Sequence, residues 1–408
     1  MHREPDLAPS LTRRSLLTGS AWAAAAVTLG RGSFIVPPAW GQSNPIKVGI
    51  ATDLTGPIGF AGKANANVAT MVVNAINAKG GVLGRSLQLF IEDTASNESV
   101  AVNNVRKLTQ RDRVDVVFGG ITSSMRNAIK DVIVTRGRTL YIYPQLYEGQ
   151  ECTEHLYCTG PTPAQQCDEL IPWLIGLGNQ RFAFPSANYL WPQLLNKYAR
   201  RVIEENGGEV VFEEYYPLDQ LEYSATVSRI MNENVDCVFN TVIPPGLQAF
   251  MKQLYEAGFH EKGGKLSCVY YDENLLNYHP AREMEGLASC LDYFQAIDDP
   301  YSAELQKGYS AMFPDTKYLF TAGSASTGMY RGIRLYEQAI IATEGDLSRE
   351  AASAALDKAA IEQGPGGPAK MVPGTGHAAM NMYIAEAKNG VYEVVSKYDM
   401  VDPKECET

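Results

Sequence analysis

The chain has 408 residues, with 35 Lys and Arg against 46 Asp and Glu, a net charge of −11, and 45% hydrophobic residues. At roughly 100–200 residues per domain this length holds two or three domains. The acidic balance, with no run of Lys or Arg, excludes a nucleic-acid binder that needs a basic patch. The apolar content excludes a disordered chain. Beyond the N-terminus no apolar stretch reaches the roughly 18 residues of a membrane helix.

Residues 1–42 read as a twin-arginine signal peptide and stand apart from the fold. Thr12-Arg13-Arg14-Ser15-Leu16-Leu17 precedes a short apolar run, Ala21 to Leu29. Ala39-Trp40-Gly41 then offers small residues at a cleavage point before Gln42. The plain alternative is a tail with two adjacent arginines. No Cys lies near that point, so a lipid anchor is not expected. Export by this route implies folded delivery to a bacterial periplasm.

From residue 46 the chain alternates β-rich runs with helix-period stretches. Strands are expected at 46–51, 87–92, 115–118 and 139–143, with helices at 62–78, 98–110 and 124–135 between them. In the second helix Val102, Val105 and Leu108 recur every third residue, as one buried stripe requires. The strands are nearly continuous apolar runs, as in a parallel sheet covered on both faces. A loop over 144–163 follows, and the alternation restarts. Helices are expected at 164–176, 190–206, 222–233 and 246–258, and strands at 180–185, 209–216, 235–242, 266–271 and 287–293. Segment 299–363 reads as mostly helical, and 378–398 as a hairpin turning at Asn389-Gly390. Gln363-Gly364-Pro365-Gly366-Gly367-Pro368 is neither helix nor strand interior. It suits a crossing between lobes, or else a surface loop. The fold class is α/β: two doubly wound arrays joined by a loop.

Seven cysteines stand at 152, 158, 167, 237, 268, 290 and 406, an odd number that leaves one thiol free. Cys152–Cys158 and Cys268–Cys290 are the candidate bridges, and the alternative is that all are reduced and buried. No C-x-x-C or Cys/His cluster has zinc spacing, so no metal is expected.

Catalytic signatures are missing. There is no G-x-S-x-G, H-E-x-x-H or G-x-G-x-x-G. Gly56-Pro57-Ile58-Gly59-Phe60-Ala61-Gly62-Lys63-Ala64 has five residues between its outer glycines and no hydroxyl after the lysine, which disqualifies it as a phosphate-cradling loop. No nucleophile, base and oxyanion donor assemble. The chain is not read as an enzyme, and no cofactor is expected.

In open α/β sheets, ligands sit beyond the carboxyl ends of the strands, near helix N-termini. The candidate loops there are Thr52 to Gly56, Asp93 to Ser96, Gly119 to Ser124 and Tyr143 to Tyr147 in the first array. The second array offers Ser186 to Tyr189, Thr241 to Pro244, and the carboxylates of Asp272 and Glu273. Ser123 reads equally as helix cap and as ligand contact. For Asp272-Glu273 the plain reading is a solvated loop. Hydroxyls, an amide, tyrosines and few cations suit a small, neutral, hydrogen-bonding solute, with an amine facing the carboxylates.

Ile46-Lys47-Val48-Gly49-Ile50, Asn77 to Arg85 with its Gly80-Gly81, and Glu92-Asp93 resemble the branched-chain amino-acid type of periplasmic solute-binding protein, and the resemblance extends over 46–400. Tyr143-Pro144-x-x-Tyr147-Glu148-Gly149 and Asn188-Tyr189-x-Trp191-Pro192 resemble its urea- and short-chain-amide-binding branch. The resemblance implies a type I periplasmic binding fold, two doubly wound parallel-sheet lobes joined by a three-crossing hinge. Lobe 1 would comprise 44–159 and 295–365, and lobe 2 would comprise 160–294 and 366–408. It implies a monomer that closes on its solute and presents it to the permease subunits of an ABC importer. Ligand contacts are expected from Thr122, Ser123, Tyr143, Gln145 and Tyr189, with Glu273 closing from the second lobe. The expected solute is urea or a small amide. The alternatives are a branched-chain or other aliphatic amino acid, and an amide-sensing regulatory role that the export signal argues against. Ile121, Gln145 and Leu146 stand where urea and amide binders differ from this chain or from one another.

Overall fold

The computed structural model describes residues 44–323 and 326–406; the expected signal peptide lies outside the described residues. The first array runs β1 (Ile46–Thr52), α1 (Gly59–Ala78), β2 (Leu87–Asp93), α2 (Glu98–Arg106), β3 (Val116–Gly119), α3 (Ser123–Lys130), β4 (Leu140–Tyr143) and β5 (Leu156–Cys158). Its strands pair in parallel in the order β2-β1-β3-β4-β5. Helices α2 and α3 run on as π turns over Lys107–Asp112 and Asp131–Arg136, so the expected helices at 98–110 and 124–135 hold.

The second array repeats the scheme. It comprises α4 (Pro163–Gly176), β6 (Arg181–Ala187), α5 (Leu190–Glu205), β7 (Glu209–Tyr216), α6 (Ser224–Asn232), β8 (Cys237–Phe239), α7 (Gly246–Glu256), β9 (Lys265–Cys268), α8 (Glu273–Leu276) and β10 (Ala288–Leu291). Its parallel strands stand in the order β7-β6-β8-β9-β10. In both arrays strand order reverses beside the first strand, which leaves a crevice at the carboxyl edge. Apolar side chains fill both faces: in the first array Val48, Ile50, Val116 and Phe118 are fully buried on one face and Ala51, Val117 and Tyr141 on the other, and in the second Phe182, Phe184, Val238 and Phe239 are fully buried.

The remaining chain adds α9 (Pro300–Met312), α10 (Thr327–Ala342), α11 (Arg349–Leu356), β11 (Ala360–Ile361), β12 (Ala369–Val372), β13 (His377–Lys388) and β14 (Val391–Val401). Helix α10 packs on α1 and β3, and α11 on β4, so this segment returns to the first array. Strand β13 pairs with β5 at one end and antiparallel with β10 at the other, joining the two sheets edge to edge. The hairpin β13–β14 turns at Asn389 and Gly390, both with positive φ, as the Asn-Gly pair predicts.

Three short strands depart from expectation. β5 lies inside the segment expected as a loop, and β11 and β12 flank the Gly/Pro run. At two to four residues they are too short to show a period-2 pattern. The Gly/Pro run is not a surface loop at its centre. Gly364, Pro365 and Gly366 are buried, and the Gly366 carbonyl accepts from Tyr383 Oη at 2.8 Å and Asn381 Nδ2 at 3.0 Å.

The disulfide is Cys152–Cys406, and neither candidate bridge forms. Cys268 and Cys290 do lie on neighbouring strands, but Cys268 is opposite Ser289. Cys290, one residue on, therefore points to the other face of the sheet. Cys158 is fully buried within β5.

One buried ion pair ties the passages between the arrays together. Arg331 on α10 donates to Asp292 Oδ2 at 2.7 Å, just after β10, and to the Thr159 carbonyl at 2.6 Å, just after β5. Both charged side chains are at most 4% exposed. Removing one partner leaves the other charge buried and unpaired. Arg331→Met is predicted to destabilise the protein by about 3–5 kcal/mol in urea denaturation; a loss below about 1 kcal/mol would contradict this role.

Candidate functional site

The strand ends of both arrays converge on a cleft enclosing about 760 Å³ of empty space, part of it open to solvent. From the first array come Pro57, Ile58, Phe60 and Ala61 after β1, Ile121, Thr122 and Ser123 after β3, and Leu146 after β4. Tyr189 and Trp191 after β6, Ile243 and Pro244 after β8, and Tyr270, Asp272 and Leu275 after β9 line the other side. Most of this lining is apolar or aromatic. Its polar groups, apart from the Tyr hydroxyls, are Thr122, Ser123, Asp272 and the Trp191 indole N–H, which has no partner among the described residues, and the lining holds no Lys, Arg or His.

The turn after β3 is shaped by glycine. Gly119 has φ +125, and a Cβ there would fall on the Ala51 carbonyl. The chain therefore passes close over β1 and enters α3 with its N-terminus at the cleft. Thr122 caps α3, accepting from the Met125 amide at 3.2 Å. Ser123, 2% exposed, donates its hydroxyl to Glu148 Oε2. Glu148 Oε1 accepts from Arg126 Nη2 at 2.7 Å, one turn along α3. Glu151 binds Arg126 Nε at 2.9 Å and Lys130 at 2.9 Å, so two carboxylates and two cations neutralise one another. The rings of Tyr143 and Tyr147 lie 5.0 and 4.8 Å from the Arg126 guanidinium.

An ion-paired carboxylate has no proton to give. In the Ser123–Glu148 bond serine is therefore the donor, and the lone pairs left on Ser123 Oγ can only accept.

The expected site residues fall into two groups. Thr122, Ser123 and Tyr189 line the cleft. Tyr143, Gln145 and Glu273 stand behind it. Tyr143 is fully buried and donates to the Ile121 carbonyl at 2.7 Å, fixing the turn before Thr122. Gln145 donates to Asn65 Oδ1 at 2.8 Å. Glu273 accepts from the Gln295 amide at 2.6 Å, and its other oxygen has no partner. Its neighbour Asp272 faces the cleft, capping α8 through the Leu275 amide at 3.0 Å and accepting from Thr321 Oγ1 at 2.6 Å.

Of the other candidate loops, the first two are self-contained. The Asp93 carboxylate accepts from the Leu54, Thr55 and Ala95 amides and the Thr55 hydroxyl, at 2.7–3.1 Å. Phe60, Trp191 and Tyr270 are large aromatic residues whose type fits a core as well as a cleft wall, and the sequence pattern did not single them out as ligand contacts. Trp191 stood only inside a motif. Among the described residues no group of His, Cys, Asp and Glu is arranged to hold a metal ion.

Burial raises the pKa of Asp272 to about 6 and that of Glu273 to about 8. For Glu273 the folded protein keeps a proton that the unfolded chain releases above its ordinary value of 4.5. Its contribution is full below that pH and is lost as pH rises through about 8. Melting temperature is thus predicted to fall between pH 5 and pH 8, and to fall less in Glu273→Gln; parallel slopes in the two proteins would contradict the assignment.

A sequence model of the periplasmic binding protein family matches residues 45–391. Leu/Ile/Val-binding proteins of Rhizobium johnstonii and of Escherichia coli strain K12 are each 26% identical to this chain, over 233 and 224 residues. These alignments cover 56% and 52% of this chain. The chain spans 58% and 59% of those curated relatives' lengths. A solute-binding protein of an ABC transporter from Rhodopseudomonas palustris BisB5, solved with 3,4-dihydroxybenzoic acid, superposes with a TM-score of 0.78 at 23% identity. That match covers 89% of this chain and 99% of the other, and it shows the type I fold of two parallel-sheet arrays. With the family model extending over most of its length, the chain belongs to the periplasmic binding protein family.

Proposed function

We propose that this chain is the periplasmic receptor of an ABC importer, exported by the twin-arginine route, and that its solute is a small amide or urea. The observation that carries the solute class is the direction of the Ser123–Glu148 hydrogen bond. With its proton committed to Glu148, Ser123 accepts, and Asp272 opposite also accepts. Two acceptors facing a cleft without cations suit a neutral group rich in N–H donors and oppose a carboxylate. The aromatic and aliphatic walls favour an amide bearing an apolar substituent over urea itself.

Lobe 1 (44–159 and 295–365) and lobe 2 (160–294 and 366–408) would close about the crossings, bringing Tyr189, Trp191 and Asp272 onto a solute held at Thr122 and Ser123. Closure is the signal that permease subunits read. No step in this scheme needs a cofactor or turnover, and the receptor works as a monomer. A second reading, an aliphatic amino acid, has support from Asp272 as partner for an ammonium group and from the names of the curated relatives.

The test is calorimetric titration of the mature chain, stripped of solute, with urea, acetamide, isobutyramide, leucine and benzoate. Saturable binding of the amides with leucine and benzoate silent is the expected result; leucine binding alone would replace this reading with the second. Ser123→Ala is predicted to weaken amide binding at least tenfold, about 1.4 kcal/mol or more, while the chain stays folded because Arg126 still pairs Glu148. Wild-type affinity in that variant would remove Ser123 from the site.

A further inference from the structure

The last residues of the described chain reach back to the loop that supports Ser123. After β14 the backbone runs as a strap, Asp402 to Cys406, along the start of α4. Thr162 Oγ1 donates to the Pro403 carbonyl at 2.9 Å, and Lys404 pairs Asp168 at 2.7 Å. Glu405, 2% exposed, then turns its carboxylate onto the loop between β4 and β5. It accepts from the Gln150 backbone amide at 2.6 Å and from Gln150 Nε2 at 2.9 Å. The same carboxylate occupies the space where a side chain on Gly149 would project, and Gly149 has φ +85. Cys406 is bonded to Cys152 across 254 residues of sequence. Residues 149, 150 and 152 are therefore held from one side by the strap.

The flanking residues of that loop act on the cleft. Glu148 and Glu151 are chain neighbours of the strapped residues, and both grip Arg126 of α3, at 2.7 and 2.9 Å. Glu148 also accepts the hydrogen bond from the Ser123 hydroxyl. From Cys406 to the cleft every link is a covalent bond or a hydrogen bond, part-buried at Gln150 and buried at Glu148 and Arg126.

We propose that the 402–406 strap is a positioning element of the solute site, holding Glu148 so that Ser123 and the N-terminus of α3 keep their binding geometry. In its effect on affinity it rests on the solute-receptor reading above; in its effect on α3 it does not. A tether serving only the fold would lower stability without loosening α3 selectively.

Two full-length mature variants test it, Glu405→Ala and the double change Cys152→Ser with Cys406→Ser, by hydrogen exchange in the absence of solute. The Met125 and Arg126 amides, bonded to Thr122 Oγ1 and to the Thr122 carbonyl, are the reporters. They are expected to exchange at least tenfold faster in both variants, while amides of α10 keep wild-type rates. Unchanged exchange at 125 and 126, or a uniform acceleration that includes α10, would overturn the proposal. If the double variant fails to fold, Glu405→Ala, which keeps the disulfide, decides alone. Acetamide titration of the same proteins is expected to show at least tenfold weaker binding. Should the wild-type chain not bind acetamide, the solute reading fails, and the exchange rates still judge the strap.

Discussion

Arg126 is the charge on which the cleft depends. It lies 4% exposed between two tyrosine rings, and a guanidinium removed from water needs its donors matched. Glu148 accepts from Nη2 and Glu151 from Nε, Lys130 balances the second carboxylate, and only Nη1 lacks a hydrogen-bond partner among the described residues. Once those carboxylates are fixed, the spare oxygen of Glu148 accepts a hydrogen bond from the Ser123 hydroxyl, and the polarity of the cleft on that side follows. Buried ion networks are weak contributors to net stability, because desolvation offsets most of the Coulombic gain. Their use here is geometric. They set which lone pairs of Ser123 Oγ stay free and tie α3 to the loop that follows β4.

The two arrays supply what the network alone lacks, a second wall. Each array ends its strands toward the same crevice, so six turns from distant parts of the sequence line one cleft. Strand β13 joins the sheets, and Arg331 clasps the residues just beyond β5 and β10. The passages between the arrays are therefore few and tightly satisfied.

Most of this architecture was legible in the sequence because it rests on local patterns. Continuous apolar strands, helices with one buried stripe, and an Asn-Gly turn declare themselves within a few residues. The short strands β5, β11 and β12 do not, since their existence is a consequence of neighbours already in place. The disulfide was illegible for the same reason: Cys152 and Cys406 lie 254 residues apart, and only the finished strap brings them together. Thr122, Ser123 and Tyr189, expected as ligand contacts from strand-end loops and from the family resemblance, stand at helix starts and line the cleft. Between Asp272 and Glu273 the sequence offers no choice, and the α8 cap turns the first into the cleft and the second behind it. Arg126 and Glu148 form their pair 22 residues apart, and no spacing rule foretells it.

The central claim is that the cleft reads hydrogen-bond donors and rejects a carboxylate of the same shape. Isobutyramide and isobutyrate share a shape and differ in their N–H donors and in charge. Competitive calorimetry of the stripped mature chain at pH 7.5, above the Asp272 pKa of about 6, compares them directly. The account predicts that the amide binds at least tenfold more tightly, about 1.4 kcal/mol. Equal affinity, or preference for the carboxylate, would contradict the assignment of Ser123 as an acceptor and with it the solute class.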